Sequence, residues 1–153
     1  MKLSAARQLA RQLMDDHGLK LWRLGFDRAK RAAGGCSYRR RRIVLSRFYV
    51  RLNSEDDVRN TILHEIAHAL AGPGVGHGPK WKEVCRQIGA RPERCYGSHI
   101  KMPKGRVEVT CPFCEESHYR HRRPRAGAWC SFCGPDLGRP LRIRILPDEE
   151  QDE

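Results

Sequence analysis

Long apolar runs are missing from this sequence of 153 residues. No stretch approaches the roughly 18 to 20 apolar residues that a membrane-spanning helix requires. The first sixteen residues place Lys2, Arg7 and Arg11 between their apolar positions, so they lack the uninterrupted core of a signal peptide. We therefore expect an intracellular, cytoplasmic protein with no membrane partner.

Acidic residues are also scarce. Asp and Glu number 18 against 30 Lys and Arg, which gives a formal net charge of +12, and five of the acids lie in the last six residues. The rest of the chain is therefore still more basic. This excess of positive charge favours nucleic acid or another polyanion as a partner. The alternative is a solvated basic surface that serves solubility.

Apolar residues make up 39% of the chain, which is enough to build a hydrophobic core. Their spacing predicts three helices and two short strands in the first 89 residues. The helices are expected from Leu3 to before Gly18, from the capping residues 53–57 to near Ala71, and from Pro79 to before Gly89. The strands are expected over Leu19–Phe26 and the first half of Arg41–Leu52, the second of them antiparallel to a neighbour, with a loop or turn over Arg28–Gly35.

The most specific local pattern is His64-Glu65-Ile66-Ala67-His68, within the second predicted helix. Residues four apart lie on one helical face, so the two imidazoles can bind the same ion. Glu65 is offset around the helix, where its carboxylate can reach a water molecule on the metal, as a zinc hydrolase requires. The alternative is a chance pentapeptide on a surface helix.

A catalytic zinc ion generally has three protein ligands, so a third ligand is expected downstream. The candidates are His77, Glu83, Glu93 and His99. We favour His77, because it follows a loop rich in Gly and Pro and directly precedes the third helix. The metzincin pattern is excluded, since it requires Gly and His where the chain has Ala71 and Gly74.

Two cysteine pairs follow, in Cys111-Pro112-Phe113-Cys114 and Cys130-Ser131-Phe132-Cys133. Four thiolates at this spacing predict a closed, structural zinc site, which makes two zinc ions per chain with the helical site. Chance or a redox pair is the alternative, and His118 or His121 could replace a cysteine. Of the three other cysteines, Cys85 is expected in the core, whereas Cys36 and Cys95 have no role that we can name.

Two clusters of arginine are candidate nucleic-acid contacts. The first lies beside Tyr38 and the second beside Tyr119, and together they comprise Arg39, Arg40, Arg41, Arg42, Arg120, Arg122, Arg123 and Arg125. Arginine can contact phosphates and aromatic rings can stack on bases, which suits DNA or RNA, particularly single strands. We expect no strong sequence specificity. Binding to DNA would also allow a nucleoid location.

These motifs together resemble the SprT-like (Spartan-type) metalloprotease family. The resemblance rests on the helix His64–Leu70, the segment His77-Gly78-Pro79-Lys80-Trp81, the cysteine pairs and the upstream stretch Phe26–Ser46. It implies that His64, His68 and His77 bind zinc and that Glu65 is the catalytic carboxylate. It also implies a DNA-dependent protease that acts on proteins crosslinked to DNA.

We accordingly predict an α+β chain with a zincin-like metalloprotease domain over residues 1–104, which contains the HExxH helix and a small antiparallel sheet. A zinc ribbon over 105–146 and a disordered acidic tail over 147–153 follow. The expected function is zinc-dependent peptide hydrolysis by a monomer. The alternative is a non-catalytic, zinc-containing nucleic-acid-binding module. Tyr96 and His99 are conceivable oxyanion donors, and neither is preferred.

Overall fold

The computed structural model describes residues 1–93, 97–135 and 140–147. Cys95, Tyr96 and the acidic tail from residue 148 onward lie outside the described residues. The chain divides into two compact units, residues 1–103 and 104–153. None of the helices in the described ranges has both the length and the apolar character that a membrane span needs.

The first unit contains four helices and one three-stranded sheet among its described residues. In chain order they are α1 (Leu3–Asp16), β1 (Arg23–Asp27), β2 (Gly34–Ser37), β3 (Arg42–Ser46), α2 (Arg47–Leu52), α3 (Glu55–Ala71) and α4 (Pro79–Gln87). The structure confirms the three predicted helices, α1, α3 and α4. It also adds the short helix α2, which the apolar pattern after Ser46 did not predict.

Helix α3 is the centre of the first unit. It begins at the N-cap Ser54, whose hydroxyl accepts a hydrogen bond from the Asp57 N–H at 3.2 Å, and three acidic residues in the first turn favour the helix dipole. It ends where Gly72 adopts a φ of 99°. The seven consecutive residues 61–67 are all buried, so side chains on every face of this part of the helix are enclosed. An interior helix of this kind can hold polar side chains away from bulk water.

The sheet differs from the predicted antiparallel arrangement. Its strand order is β1-β3-β2, and β3 pairs in parallel with β1 and antiparallel with β2. The predicted antiparallel neighbour of the second predicted strand is confirmed by β2, but the prediction of an antiparallel sheet is wrong, because the sheet is mixed. Alternating apolar residues indicate that a segment is a strand, but the connections between strands determine its direction.

Strand β2 occupies part of the segment that we predicted as a loop or turn, so that prediction is wrong for residues 34–35. The segment begins with Gly34 and Gly35, which carry no apolar pattern. Its strand conformation comes from the backbone ladder with β3, in which Gly34 faces Leu45 and Cys36 faces Ile43. Ile43 and Leu45 are fully buried, and they attach the sheet to the core.

The second unit contains a three-stranded antiparallel sheet, with β4 (Val107–Thr110) between β5 (Ser117–Arg120) and β6 (Arg142–Ile145). Val107 and Val109 are buried, whereas every residue of β5 and β6 is exposed. This small apolar core suits a unit that a bound metal ion stabilises.

Candidate metal centre

Three histidines converge on one point in the first unit. His64 and His68 lie one turn apart on α3, and His77 lies just before α4. The Nε2 atom of His77 is 3.1 Å from Nε2 of His64 and 3.1 Å from Nε2 of His68. Tetrahedral nitrogen ligands of zinc are about 3.3 Å apart, because each lies about 2.0 Å from the metal. The donor set and its spacing therefore fit a zinc ion.

The surroundings of His64 and His68 favour their neutral form. Burial, followed by the charges of His68 and His77, lowers the pKa of His64 to about 4. Burial and the charge of His77 likewise lower the pKa of His68 to about 4. A neutral imidazole has a free lone pair on one ring nitrogen, which is the form that binds metals.

Glu65 is buried beside this cluster, with only 4% of its surface exposed. Burial raises the pKa of its carboxyl group to about 8. A carboxylate whose pKa lies near neutral pH is a better proton acceptor than an ordinary glutamate. A cation bound by the histidines would lower this pKa again, since opposite charges favour the ionised form.

Gly34 of β2 packs directly against Glu65. A Cβ atom at position 34 would lie 3.1 Å from both Cγ and Oε1 of Glu65, and 3.1 Å from the Val44 carbonyl oxygen. Only a residue without a side chain fits this position without displacing its neighbours. The backbone of β2 therefore restricts where the carboxylate can lie.

The histidines and Glu65 line a cleft of about 720 Å³. Residues 34–36 of β2 also line the cleft, as does the loop over residues 72–76. Because β2 is at the edge of the sheet, its outer side pairs with no other strand among the described residues. The cleft thus combines a candidate metal site, a buried carboxylate and an open strand edge.

The four cysteines of the second unit form another cluster. Sγ of Cys111 lies 3.9 Å from Sγ of Cys133, and Sγ of Cys114 lies 3.8 Å from Sγ of Cys130. These distances are far too long for disulfides, but thiolates on a tetrahedral zinc ion are about 3.8 Å apart. Backbone N–H groups of Cys114 and Phe113 lower the pKa of Cys111 to about 7, which favours its thiolate form. His118 and His121 are not needed to complete this cluster.

The other candidate ligands lie outside the histidine cluster. The Glu83 carboxylate accepts hydrogen bonds from Arg86 and Gln87 on the exposed side of α4. His99 Nε2 is 3.0 Å from Asp57 Oδ1, and Glu93 lines the same cavity as His99. Neither His99 nor Glu93 belongs to the histidine cluster, whose ligand atoms lie within 4.8 Å of one another.

The unassigned cysteines that the structure describes have distinct environments. Cys85 is fully buried on α4, in the core. Cys36 is half-buried and lines the cleft, where burial and the Glu65 charge raise the pKa of its thiol to about 12. A thiol with this pKa is protonated at neutral pH, which disfavours a nucleophilic role.

The two arginine clusters lie in different units. Arg39, Arg40 and Arg41 form the turn between β2 and β3, and Arg42 begins β3. Arg120 ends β5, and Arg122, Arg123 and Arg125 lie in the segment that follows. Within the described parts of the chain, none of these eight side chains forms an ion pair with an acidic residue.

Several features of the two metal clusters were not predicted from the sequence. Trp81 contacts all three histidine rings. Its position four residues after His77 could have indicated a contact with that histidine. The contact between Gly34 and Glu65 joins residues far apart in the chain and left no local signal. In the second unit, three large aromatic side chains beside the cysteines are more than half exposed: Phe113 (59%), Trp129 (57%) and Phe132 (87%). The Cys-x-Phe-Cys pattern could have indicated the positions of the two phenylalanines.

Comparison with known proteins gives three findings. The family model described as the SprT-like family matches residues 4–103. Protein SprT of Pseudomonas entomophila (strain L48) is 32% identical over 98 residues, which cover 54% of this chain and 59% of that protein. The chain thus matches about three fifths of that relative's length. The crystal structure of the metallopeptidase zymogen of Methanocaldococcus jannaschii jannalysin aligns with a TM-score of 0.48 at 14% identity, covering 62% of this chain and 85% of that one.

The family match includes all of α1 to α4, the histidine cluster and Glu65. It extends over more than half of the chain. The protein therefore belongs to the SprT-like family.

Proposed function

We propose that this protein is a zinc metalloprotease of the HExxH type that hydrolyses peptide bonds in DNA-associated or DNA-crosslinked proteins. One observation carries the catalytic part of this proposal. Three imidazoles, two of them with a lowered pKa, converge within one cleft beside a buried glutamate whose pKa is raised. A purely structural metal site needs no such carboxylate.

His64, His68 and His77 would hold the zinc ion, which when bound supplies a Lewis acid and lowers the pKa of water toward about 7. Glu65 accepts the proton of the water molecule that attacks the peptide carbonyl. The same carboxyl group then donates this proton to the nitrogen of the leaving amine. Burial favours the protonated state between these two steps, and Gly34 keeps the carboxylate in place.

The open edge of β2 supports a peptide as the substrate. An extended chain can pair with an exposed strand edge through backbone hydrogen bonds. Because Gly34 contacts Glu65, a peptide bound along β2 would pass close to the proposed proton acceptor. Backbone hydrogen bonds do not depend on the side chains of the substrate, so we expect broad cleavage specificity.

The arginine clusters support DNA as the second partner. Their eight guanidinium groups have no acidic partners among the described residues, so they are available to phosphates. Phe113, Trp129 and Phe132 offer exposed rings on which unpaired bases can stack. We propose binding without strong sequence specificity by a cytoplasmic or nucleoid-associated monomer. The four cysteines would hold a second, structural zinc ion.

Replacing the proposed proton acceptor, Glu65→Gln, should reduce proteolysis by about 10² to 10⁴-fold, because the amide cannot accept the proton. The measurement is cleavage of a basic protein substrate with and without single-stranded DNA. Glu83→Gln is the matched control, since Glu83 lies on the exposed side of α4, and it should cleave at the wild-type rate. Cleavage by Glu65→Gln at the wild-type rate would show that this is not an HExxH-type enzyme.

Gly34→Ala should lower kcat by about tenfold, because the added methyl group pushes the Glu65 carboxylate out of position. Gly35→Ala is the comparison, since a Cβ atom there meets nothing within 4 Å. It should reduce kcat less, although it changes the same strand. Equal reductions in kcat for the two variants would contradict a specific contact between Gly34 and Glu65.

DNA binding should weaken steeply as the salt concentration rises. Replacing Arg39 and Arg40 with Gln should reduce the slope of log affinity against log salt, by about 0.7 for each phosphate of single-stranded DNA that the variant no longer neutralises. Arg86→Gln is the control, because Arg86 already pairs with Glu83. A salt dependence that is flat in the wild-type protein, or identical in the double variant, would rule out phosphate binding by this cluster.

A further inference from the structure

Trp81 lies against all three members of the histidine cluster. The centre of its indole ring is 4.7 Å from the ring of His64, 5.2 Å from that of His68 and 4.6 Å from that of His77. It stacks on His68 with an angle of 26° between the ring planes, and it meets His64 and His77 nearly edge to face. Both arrangements are favourable for aromatic pairs.

The histidine cluster joins two separate parts of the chain. His64 and His68 are fixed relative to each other by α3, but His77 follows a loop that contains Gly72, Gly74 and Gly76. These three glycines have φ values of 99°, 78° and 56°, and residues of this type allow the backbone wide conformational freedom. The loop alone therefore does not fix the position of His77 beside α3.

Helix α4 is the rigid element closest to His77, and it begins two residues later. Its buried residues are Trp81 and Cys85, and Trp81 is fully enclosed. The indole is the larger of these two side chains, and it reaches from α4 to the two histidines of α3 as well as to His77. A single side chain thus connects the elements that supply the three imidazoles.

Burying the indole also costs free energy that burying a purely apolar side chain would not. Its Nε1–H is buried and has no hydrogen-bond partner among the described residues, which is unfavourable for a polar group. A leucine or methionine could fill an apolar site without this cost. The two fused rings, however, provide enough flat surface to contact three imidazoles in different orientations.

We propose that Trp81 is a positioning residue that sets the orientation of all three imidazoles before a metal ion binds. This inference rests on the proposed function only in taking the histidines as metal ligands. Residues that orient metal ligands from outside change metal affinity by about 10 to 100-fold when they are replaced. Trp81 orients the imidazoles through ring contacts, whereas most residues that orient a metal-binding histidine do so through a hydrogen bond to its imidazole.

The test measures the zinc affinity of the histidine cluster in the full chain, by competition with a chromophoric chelator. A His64→Ala/His68→Ala variant binds zinc only at the cysteine cluster. Its signal is subtracted from that of each other variant. Trp81→Leu should weaken zinc binding by about tenfold or more, whereas Trp81→Phe, which keeps one of the two fused rings, should weaken it by less than Trp81→Leu does. If Trp81→Leu does not fold, Trp81→Met takes its place with the same expectation.

Cys85→Ala is the matched control, because Cys85 is equally buried on the same helix. It should lower the stability of the fold and leave zinc affinity unchanged. Wild-type affinity in Trp81→Leu, or equal weakening in Trp81→Leu and Cys85→Ala, would overturn the positioning role. If the wild-type chain binds no more zinc than the double histidine variant, the proposed metalloprotease function fails as well, so the two failures are distinguishable.

Discussion

Nε2 of His77 lies only 3.1 Å from Nε2 of both His64 and His68, and nitrogens this close need a bound ion or a rigid framework to keep them together. Only one hydrogen can lie between a given pair, and protonating the rings would make them repel each other. The first unit provides the framework, with a buried helix for His64 and His68 and the start of α4 for His77. The surrounding core also removes water from His64 and His68, which lowers their pKa values and keeps these two rings neutral and able to bind a metal.

The same exclusion of water raises the pKa of the Glu65 carboxyl group. A carboxylate on the surface of α3 would have an ordinary pKa and several orientations. Burial raises the pKa to about 8, and the missing side chain at Gly34 lets the backbone of β2 pack directly against the carboxylate. The edge strand that could bind a substrate is therefore also the strand that places the proton acceptor, so a peptide and a water molecule would meet at the same point of the cleft.

Local periodicity was sufficient to predict the three longer helices, α1, α3 and α4, and the pairing of His64 with His68, because a helix brings residues four apart to one face. The cysteine pairs were predictable for a similar reason, since each lies within one short turn. Long-range contacts were not predictable in this way. The parallel pairing of β1 with β3, the approach of Gly34 to Glu65 and the placement of Trp81 under the histidines all depend on how distant segments pack.

The zinc content of the purified chain tests the central claim most directly. Our account predicts two zinc ions per chain in the wild-type protein, one in the His64→Ala/His68→Ala variant and one in a Cys114→Ser/Cys133→Ser variant. Elemental analysis after dialysis against a weak chelator gives these numbers. One zinc ion per wild-type chain, with no loss in the histidine variant, would contradict a metal site formed by His64, His68 and His77.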